Sequence, residues 1–335
     1  MLDAVGGGNV AARSTLLAAL DEMKRVIVGQ EQMLERVMVA LLAGGHLLIE
    51  GVPGLAKTLT IKTVAEVVGG SFKRVQFTPD LVPSDIVGTR IYRPDGGGFD
   101  TELGPVFCNF LLADEINRAP AKVQSALLEV MQERQVTIGP ATYPIPAPFL
   151  VLATQNPIEA EGTYPLPEAQ VDRFMLKVVV GYPTAEEEAL VVQRSLAEPP
   201  RLERILTTDM LLDLQRLTAD VFVDPKVQRY AVAVVNATRR PRDLKLAEIE
   251  PYLSFGASPR GSLNLVHAAQ ALAVLRGREY VLTQDVHTIA KDVLRHRLVL
   301  SYQALVEEVS ADDILDRILK TVPWPRLEQA TEQSA

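Results

Sequence analysis

The segment Gly51-Val52-Pro53-Gly54-Leu55-Ala56-Lys57-Thr58 constrains the fold of this chain more than any other. It follows an apolar run, Leu47-Leu48-Ile49, and precedes a helical stretch, so it predicts a strand that turns through glycine into a helix. From Leu16 to about Val180 strand-like and helix-like stretches alternate, the pattern of an α/β fold with a parallel sheet. Candidate strands cover residues 47–50, 72–77, 110–114, 149–154 and 175–180. Between them, the stretch from Pro120 to Glu133 carries Val123, Leu127, Leu128 and Met131 on one helical face.

After Gly181 the strand signals stop and capped helices take over. Thr184 with Glu187 reads as a capping box, Asp224-Pro225 and Ser258-Pro259 open two further helices, and Thr283 opens a fourth. Ser310 with Asp313 starts a last short helix. The expected organisation is therefore a mobile arm over 1–15 around Gly6-Gly7-Gly8, an α/β core over 16–181, an all-helical domain over 182–327 and a frayed tail over 328–335.

Backbone N–H groups of the glycine loop and of the helix start can point at phosphate oxygens, where the helix dipole favours negative charge. Gly54, Leu55, Ala56, Lys57, Thr58 and Leu59 form the candidate phosphate cradle. Lys57 would sit on the β- and γ-phosphates, and the Thr58 hydroxyl would ligate Mg²⁺. Ala56 stands where the pattern has a third glycine, and a positive φ there would cost about 1–2 kcal/mol.

Phe110-Leu111-Leu112-Ala113-Asp114-Glu115 is an apolar strand that ends in two adjacent acids. A buried strand pins carboxylates at its C-terminal end to the crevice where ligands of α/β sheets bind. Asp114 is placed to hold the Mg²⁺ shell and Glu115 to polarise an attacking water. Asn156 ends the next apolar strand, where it reads either as a water-orienting amide or as a turn former before Pro157.

These motifs lead to a family resemblance. Leu111 to Pro120 resembles the Walker B segment of the MoxR group of AAA+ ATPases. So do Gln124 to Glu129, Met131 to Thr137, Ala153 to Pro157 and Tyr164 to Gln170. The resemblance implies an α/β AAA+ P-loop core with a parallel five-stranded sheet, followed by an all-helical lid. It further implies ATP and Mg²⁺ as cofactors, a hexameric ring with ATP at subunit interfaces, and chaperone-like remodelling or cofactor insertion. The clients it implies often carry a von Willebrand factor A domain.

Position by position, Asn156 matches sensor 1, Arg173 the arginine finger that reaches a neighbour's γ-phosphate, and Arg260 sensor 2 in the lid. Val28 and Gly29, in Val28-Gly29-Gln30, match the segment at the adenine side. Gln76 would be the polar residue that gates the catalytic acid. Read without the resemblance, Arg260 is a surface arginine, and Arg173 pairs either with a local carboxylate or with a phosphate across an interface.

Two insertions interrupt the core, at about 85–105 around Pro94-Asp95-Gly96-Gly97-Gly98 and at 135–146 around Gly139-Pro140. The resemblance names them the helix-2 insert and the pre-sensor-1 hairpin, loops that would face the ring's pore. From Gln135 to Phe149 there is no Lys or Arg, whereas a DNA translocator would put cations there to meet phosphates. This argues against the related replicative helicases.

Composition narrows the remaining classes. With 34 basic against 42 acidic residues the formal charge is −8, which gives no bulk attraction to nucleic acid or to an anionic membrane. No apolar run is long enough to span a bilayer and no signal peptide is visible, so a cytoplasmic location is expected. Cys108 is the single cysteine and reads as a small buried hydrophobe. The four histidines, at 46, 267, 287 and 296, show no metal-ligand spacing. The leading expectation is an ATP hydrolase acting on protein partners. The alternatives are a nucleic-acid-dependent ATPase and an ATPase subunit of a metal chelatase.

Overall fold

The structure, a computed structural model, describes residues 3–52, 57–94, 98–156, 163–198 and 200–325, with the backbone alone over 3–9. The chain forms two compact units, Met1–Thr218 and Ala219–Ala335. The first opens with helices α1 (Asp3–Lys24) and α2 (Glu31–Leu42), then alternates through β1 (Leu47–Gly51), α3 (Lys57–Val68), β2 (Phe72–Gln76) and α4 (Pro83–Val87). A hairpin of β3 (Gly88–Arg93) and β4 (Gly98–Leu103) precedes β5 (Phe110–Asp114) and α5 (Ala121–Glu133). A second hairpin, β6 (Gln135–Ile138) and β7 (Ala141–Pro144), precedes β8 (Leu150–Gln155), α6 (Glu168–Val171) and β9 (Leu176–Val180). Helices α7 (Ala185–Ser195) and α8 (Thr208–Ala219) follow.

The five candidate strands assemble into one parallel sheet of order β2-β5-β8-β1-β9. Near-continuous apolar strands belong at the centre of such a sheet, because helices cover both faces. The burial follows that rule: Phe110 to Ala113 in β5 and Leu150 to Thr154 in β8 are buried throughout, while Lys73, Arg74 and Gln76 on edge strand β2 are exposed. The α5 stripe of Val123, Leu127, Leu128 and Met131 closes over the sheet in one cluster with Leu111, Ala113, Val151 and Ala153. Cys108 lies in the same cluster, and burial pushes its thiol pKa up to about 12.

A mobile arm is expected over 1–15, but residues 3–24 are helical. Ala12, Leu16, Ala19, Leu20 and Met23 are buried, at the spacing of a single helix stripe, and α1 packs on α3. The Gly6-Gly7-Gly8 run weakens the first turns without displacing the stripe that follows it. Helix α7 carries the anticipated capping box, with the Glu187 N–H donating to Thr184 Oγ1 at 3.2 Å and the Thr184 N–H to Glu187 Oε2 at 2.8 Å. Yet α7, placed in the lid by the sequence, belongs to the first unit.

The second unit contains α9 (Pro225–Arg239), β10 (Leu253–Phe255), α10 (Pro259–Leu275), α11 (Thr283–Leu294), β11 (Val299–Leu300), α12 (Tyr302–Val306) and α13 (Ala311–Thr321). Asp224, Ser258 and Ser310 each accept a backbone N–H at a helix start, as their positions predict. Thr283 does not cap; it is the first residue of α11, and the Asp285 carboxylate takes the Leu282 N–H at 2.8 Å. The unit is not wholly helical, because β10 and β11 form an antiparallel ribbon. Two and three residues are too short a run to show strand periodicity. The tail expected to fray, 328–335, lies outside the described residues.

Candidate functional site

Gly51, Gln76, Asp114 and Gln155 end four neighbouring parallel strands, so the candidate residues gather along one edge of the sheet. Gln76 stands opposite Asp114 in register, and β5 and β8 align Ala113 with Ala153. Asp114 is therefore flanked by β2 on one side and by Thr154 on the other.

Both oxygens of the Asp114 carboxylate accept hydrogen bonds. Its Oδ1 accepts from the Thr154 hydroxyl at 2.6 Å, and its Oδ2 from Arg74 Nη2 at 2.7 Å and Nε at 3.2 Å. Thr154 is 1% exposed, so its hydroxyl cannot exchange this partner for bulk water. The same Thr154 oxygen accepts the Glu115 backbone N–H at 2.8 Å.

Glu115 adopts a left-handed backbone, φ 55° and ψ 50°, which costs a residue with a side chain about 1–2 kcal/mol. This turn ends β5 and starts a 3₁₀ turn over Ile116–Arg118. Two adjacent carboxylates thus escape strand alternation and acquire separate partners. Glu115 Oε2 accepts from Gln76 Nε2 at 2.7 Å and pairs with Arg118 Nε at 3.0 Å. Backbone strain persisting at a strand end beside two carboxylates is typical of sites where geometry serves chemistry.

Lys57 is the first residue of α3, and its ammonium donates to the Gly51 carbonyl. Burial lowers its pKa below the ordinary lysine value, while the charges of Asp114, Glu115 and Glu50 pull the other way. Thr58 is half-buried and Leu59 exposed in the same first turn, whose backbone N–H groups favour an anion. Gly54, Leu55 and Ala56 lie outside the described residues.

Asn156 follows β8 and is 7% exposed. Arg173 lies between α6 and β9, half-buried, with its backbone N–H on the Gln170 carbonyl at 3.1 Å. Among the described residues its guanidinium forms no ion pair, so Asp172 is not its partner. Val28 and Gly29 sit in the turn between α1 and α2, where Gly29 has φ +63° and a Cβ would come 2.5 Å from Glu187 Oε1. Next to them, Gln30 Nε2 reaches the Gly181 carbonyl at the end of β9 at 3.5 Å. Arg260 is the second residue of α10 in the second unit, exposed, its N–H on Ser258 Oγ at 3.2 Å.

The first unit thus brings Lys57, Asp114 and Glu115 together, with Gln76 on Glu115. Sequence reasoning missed Arg74, Thr154 and Arg118. The first two were legible only through strand register, since Arg74 shares a face with Gln76 and Thr154 levels with Asp114.

No group of three or more His, Cys, Asp and Glu among the described residues could hold a metal. Mg²⁺ does not require one, because it binds through one or two protein oxygens plus substrate phosphates and water. The Asp114 carboxylate already attracts a cation in Arg74, and it is a hard oxygen donor of the kind such an ion takes.

Comparison with known proteins places this geometry in a lineage. Residues 46–176 match the ATPase family associated with various cellular activities (AAA), and residues 246–318 match the AAA lid domain. The chain is 57% identical to Chaperone MoxR1 of Mycobacterium tuberculosis over 326 residues, covering 97% of this chain and 86% of that protein. It is 32% identical to Protein MoxR of Paracoccus denitrificans, covering 90% of this chain and 93% of that one. A crystal structure from Cytophaga hutchinsonii, 45% identical, superposes with a TM-score of 0.91 over 97% of this chain and 99% of the other. An α/β AAA core with the Lys57–Asp114–Glu115 grouping and relatives of this closeness have one reading: the chain belongs to the MoxR family of AAA+ ATPases.

Proposed function

We propose that this protein hydrolyses Mg-ATP at the strand ends of the first unit and spends the free energy on chaperone-like remodelling of protein partners. One observation carries the proposal: Asp114 and Glu115 are adjacent in sequence, yet each is held by its own set of donors beside Lys57. Lys57 and the loop before it bind the phosphates, and the Thr58 hydroxyl and Asp114 hold the metal ion. Mg²⁺, when bound, neutralises the phosphate oxygens and supports charge developing on the leaving group. Glu115 orients the attacking water and draws its proton, assisted by the Asn156 amide.

Val28 and Gly29 serve the adenine side, and Leu59 with Gly54, Leu55 and Ala56 completes the cradle. Arg173, without an anionic partner among the described residues, serves a neighbour's site in a hexameric ring. Arg260 acts as the lid's sensor. The name of the Mycobacterium tuberculosis relative, Chaperone MoxR1, supports protein clients rather than nucleic acid. We extend this to clients with von Willebrand factor A domains and to a cytoplasmic site of action. No described helix is long and apolar enough to cross a membrane.

The test is Glu115→Gln. Its carboxylate contacts water rather than nucleotide, so ATP binding persists while hydrolysis stops. Such a variant also traps the ATP-loaded ring on its client for recovery by pull-down. Loss of nucleotide affinity with near-normal turnover would overturn the assignment.

A further inference from the structure

Arg74 and Gln76 are two residues apart on β2, so their side chains leave the same face of the edge strand while Val75 leaves the other. Register places Gln76 level with Asp114. Arg74 Nη2 donates to Asp114 Oδ2 at 2.7 Å and to Gln76 Oε1 at 2.8 Å. Gln76 Nε2 then donates to Glu115 Oε2 at 2.7 Å. One continuous chain of hydrogen bonds therefore joins the two carboxylates on the side away from Thr154.

The direction of that chain follows from its first member. A guanidinium has donors only, whereas a glutamine amide has one accepting and one donating end. With Arg74 on its oxygen, the Gln76 amide can present only N–H to Glu115. A flipped amide would set its NH₂ against the guanidinium and its carbonyl against the carboxylate, two repulsive contacts in place of two attractive ones. Arg74 also supplies positive charge to the Asp114 oxygen that faces away from Thr154.

We propose that Arg74 is a positioning residue with two linked tasks, on the reading above in which Asp114 faces Mg²⁺ and Glu115 the water. It keeps Asp114 neutralised until the divalent cation displaces it, and through the Gln76 amide it sets the orientation of Glu115. Arrival of the metal at Asp114 and adjustment of Glu115 are coupled through this one side chain.

The test uses the full-length chain with Arg74→Ala, Arg74→Lys, Gln76→Ala and the Arg74→Ala/Gln76→Ala double variant. The first readout is binding of a fluorescent ATP analogue at increasing Mg²⁺. Removing a half-exposed competing ion pair should lower the Mg²⁺ midpoint about fivefold in Arg74→Ala. Arg74→Lys, which retains the charge, should restore it. The second readout is ATP turnover: the change caused by Gln76→Ala should shrink to less than about twofold in the Arg74→Ala background, and Arg74→Lys, one atom shorter and without the planar fork that holds Nη2 between both acceptors, should not restore the coupling. An Mg²⁺ midpoint unmoved in Arg74→Ala, or Arg74 and Gln76 effects that multiply independently, overturns the relay. If Glu115→Gln also turned over ATP at the wild-type rate, the site assignment would fall with it. An inert Glu115→Gln beside an unmoved midpoint overturns the relay alone.

Discussion

The Thr154 hydroxyl donates to Asp114 Oδ1 at 2.6 Å and, on the same oxygen, accepts the N–H of the residue that follows Asp114. A single buried oxygen thus fixes one carboxylate and anchors the left-handed turn that aims the next. Thr154→Val preserves shape and removes only this oxygen, leaving an acceptor and a backbone donor unsatisfied. A buried unsatisfied polar group costs about 1–3 kcal/mol, so urea unfolding should show a loss of that size. Thr154→Ser, which keeps the hydroxyl, should recover most of it. A loss below about 0.5 kcal/mol for the valine variant would show that water replaces the hydroxyl.

Lys57→Ala removes the ammonium that faces three carboxylates and, on the proposed reading, the phosphates. A ligand that binds only the folded state raises its melting temperature by mass action. Mg-ATP should therefore stabilise the wild-type protein and leave Lys57→Ala nearly unshifted in a thermal melt. Equal shifts in the two proteins would remove Lys57 from the binding site.

His46 gives a pH prediction with a definite sign. Its Nδ1 accepts the Val151 N–H at 3.0 Å and its Nε2 lies 3.2 Å from the Met131 carbonyl, so the ring is the neutral Nε2–H tautomer. Burial, reinforced by the charge of Arg134, lowers its pKa from 6.5 to about 3. The unfolded chain binds a proton near pH 6.5 that the folded one refuses until about pH 3. Stability from this group is complete above the unfolded pKa and is lost as pH falls across that window, by at most about 1.4 kcal/mol per pH unit. His46→Gln should flatten the acid limb of stability against pH, measured by urea unfolding between pH 7 and pH 4. An unchanged slope would mean that His46 is not the proton acceptor.

What was legible in the sequence follows from how each element is stabilised. The strands of the parallel sheet show as apolar runs because burial on both faces leaves little room for polar residues, and Asp114 and Glu115 stand out because they end one such run. Thr154 and Arg74 do not stand out, because a threonine in a strand and an arginine on an edge are unremarkable until register sets them against Asp114. The α1 stripe was obscured by three glycines, and the position of α7 by its cap: a capping box marks where a helix starts, not which unit it joins. Helix α7 buries no residue, so its own pattern carries no information about its neighbours.

Arg173 separates a ring from a monomer. If its guanidinium, which forms no ion pair among the described residues, completes a neighbour's site, each active site needs two subunits, and loss of such a finger costs about 10³–10⁵ in rate. Neither Arg173→Ala nor Lys57→Ala should hydrolyse ATP alone. In a mixed ring an Arg173→Ala subunit supplies an intact P-loop, and a Lys57→Ala neighbour supplies an intact finger. With head-to-tail contacts and random one-to-one mixing, about one quarter of interfaces are complete, so activity should return on mixing two inactive proteins. ATPase rate against mixing ratio should peak near equal amounts, with light scattering to verify assembly and differently labelled subunits to verify exchange. A flat profile from rings shown to be mixed would assign Arg173 to its own subunit and require another residue for the trans contact.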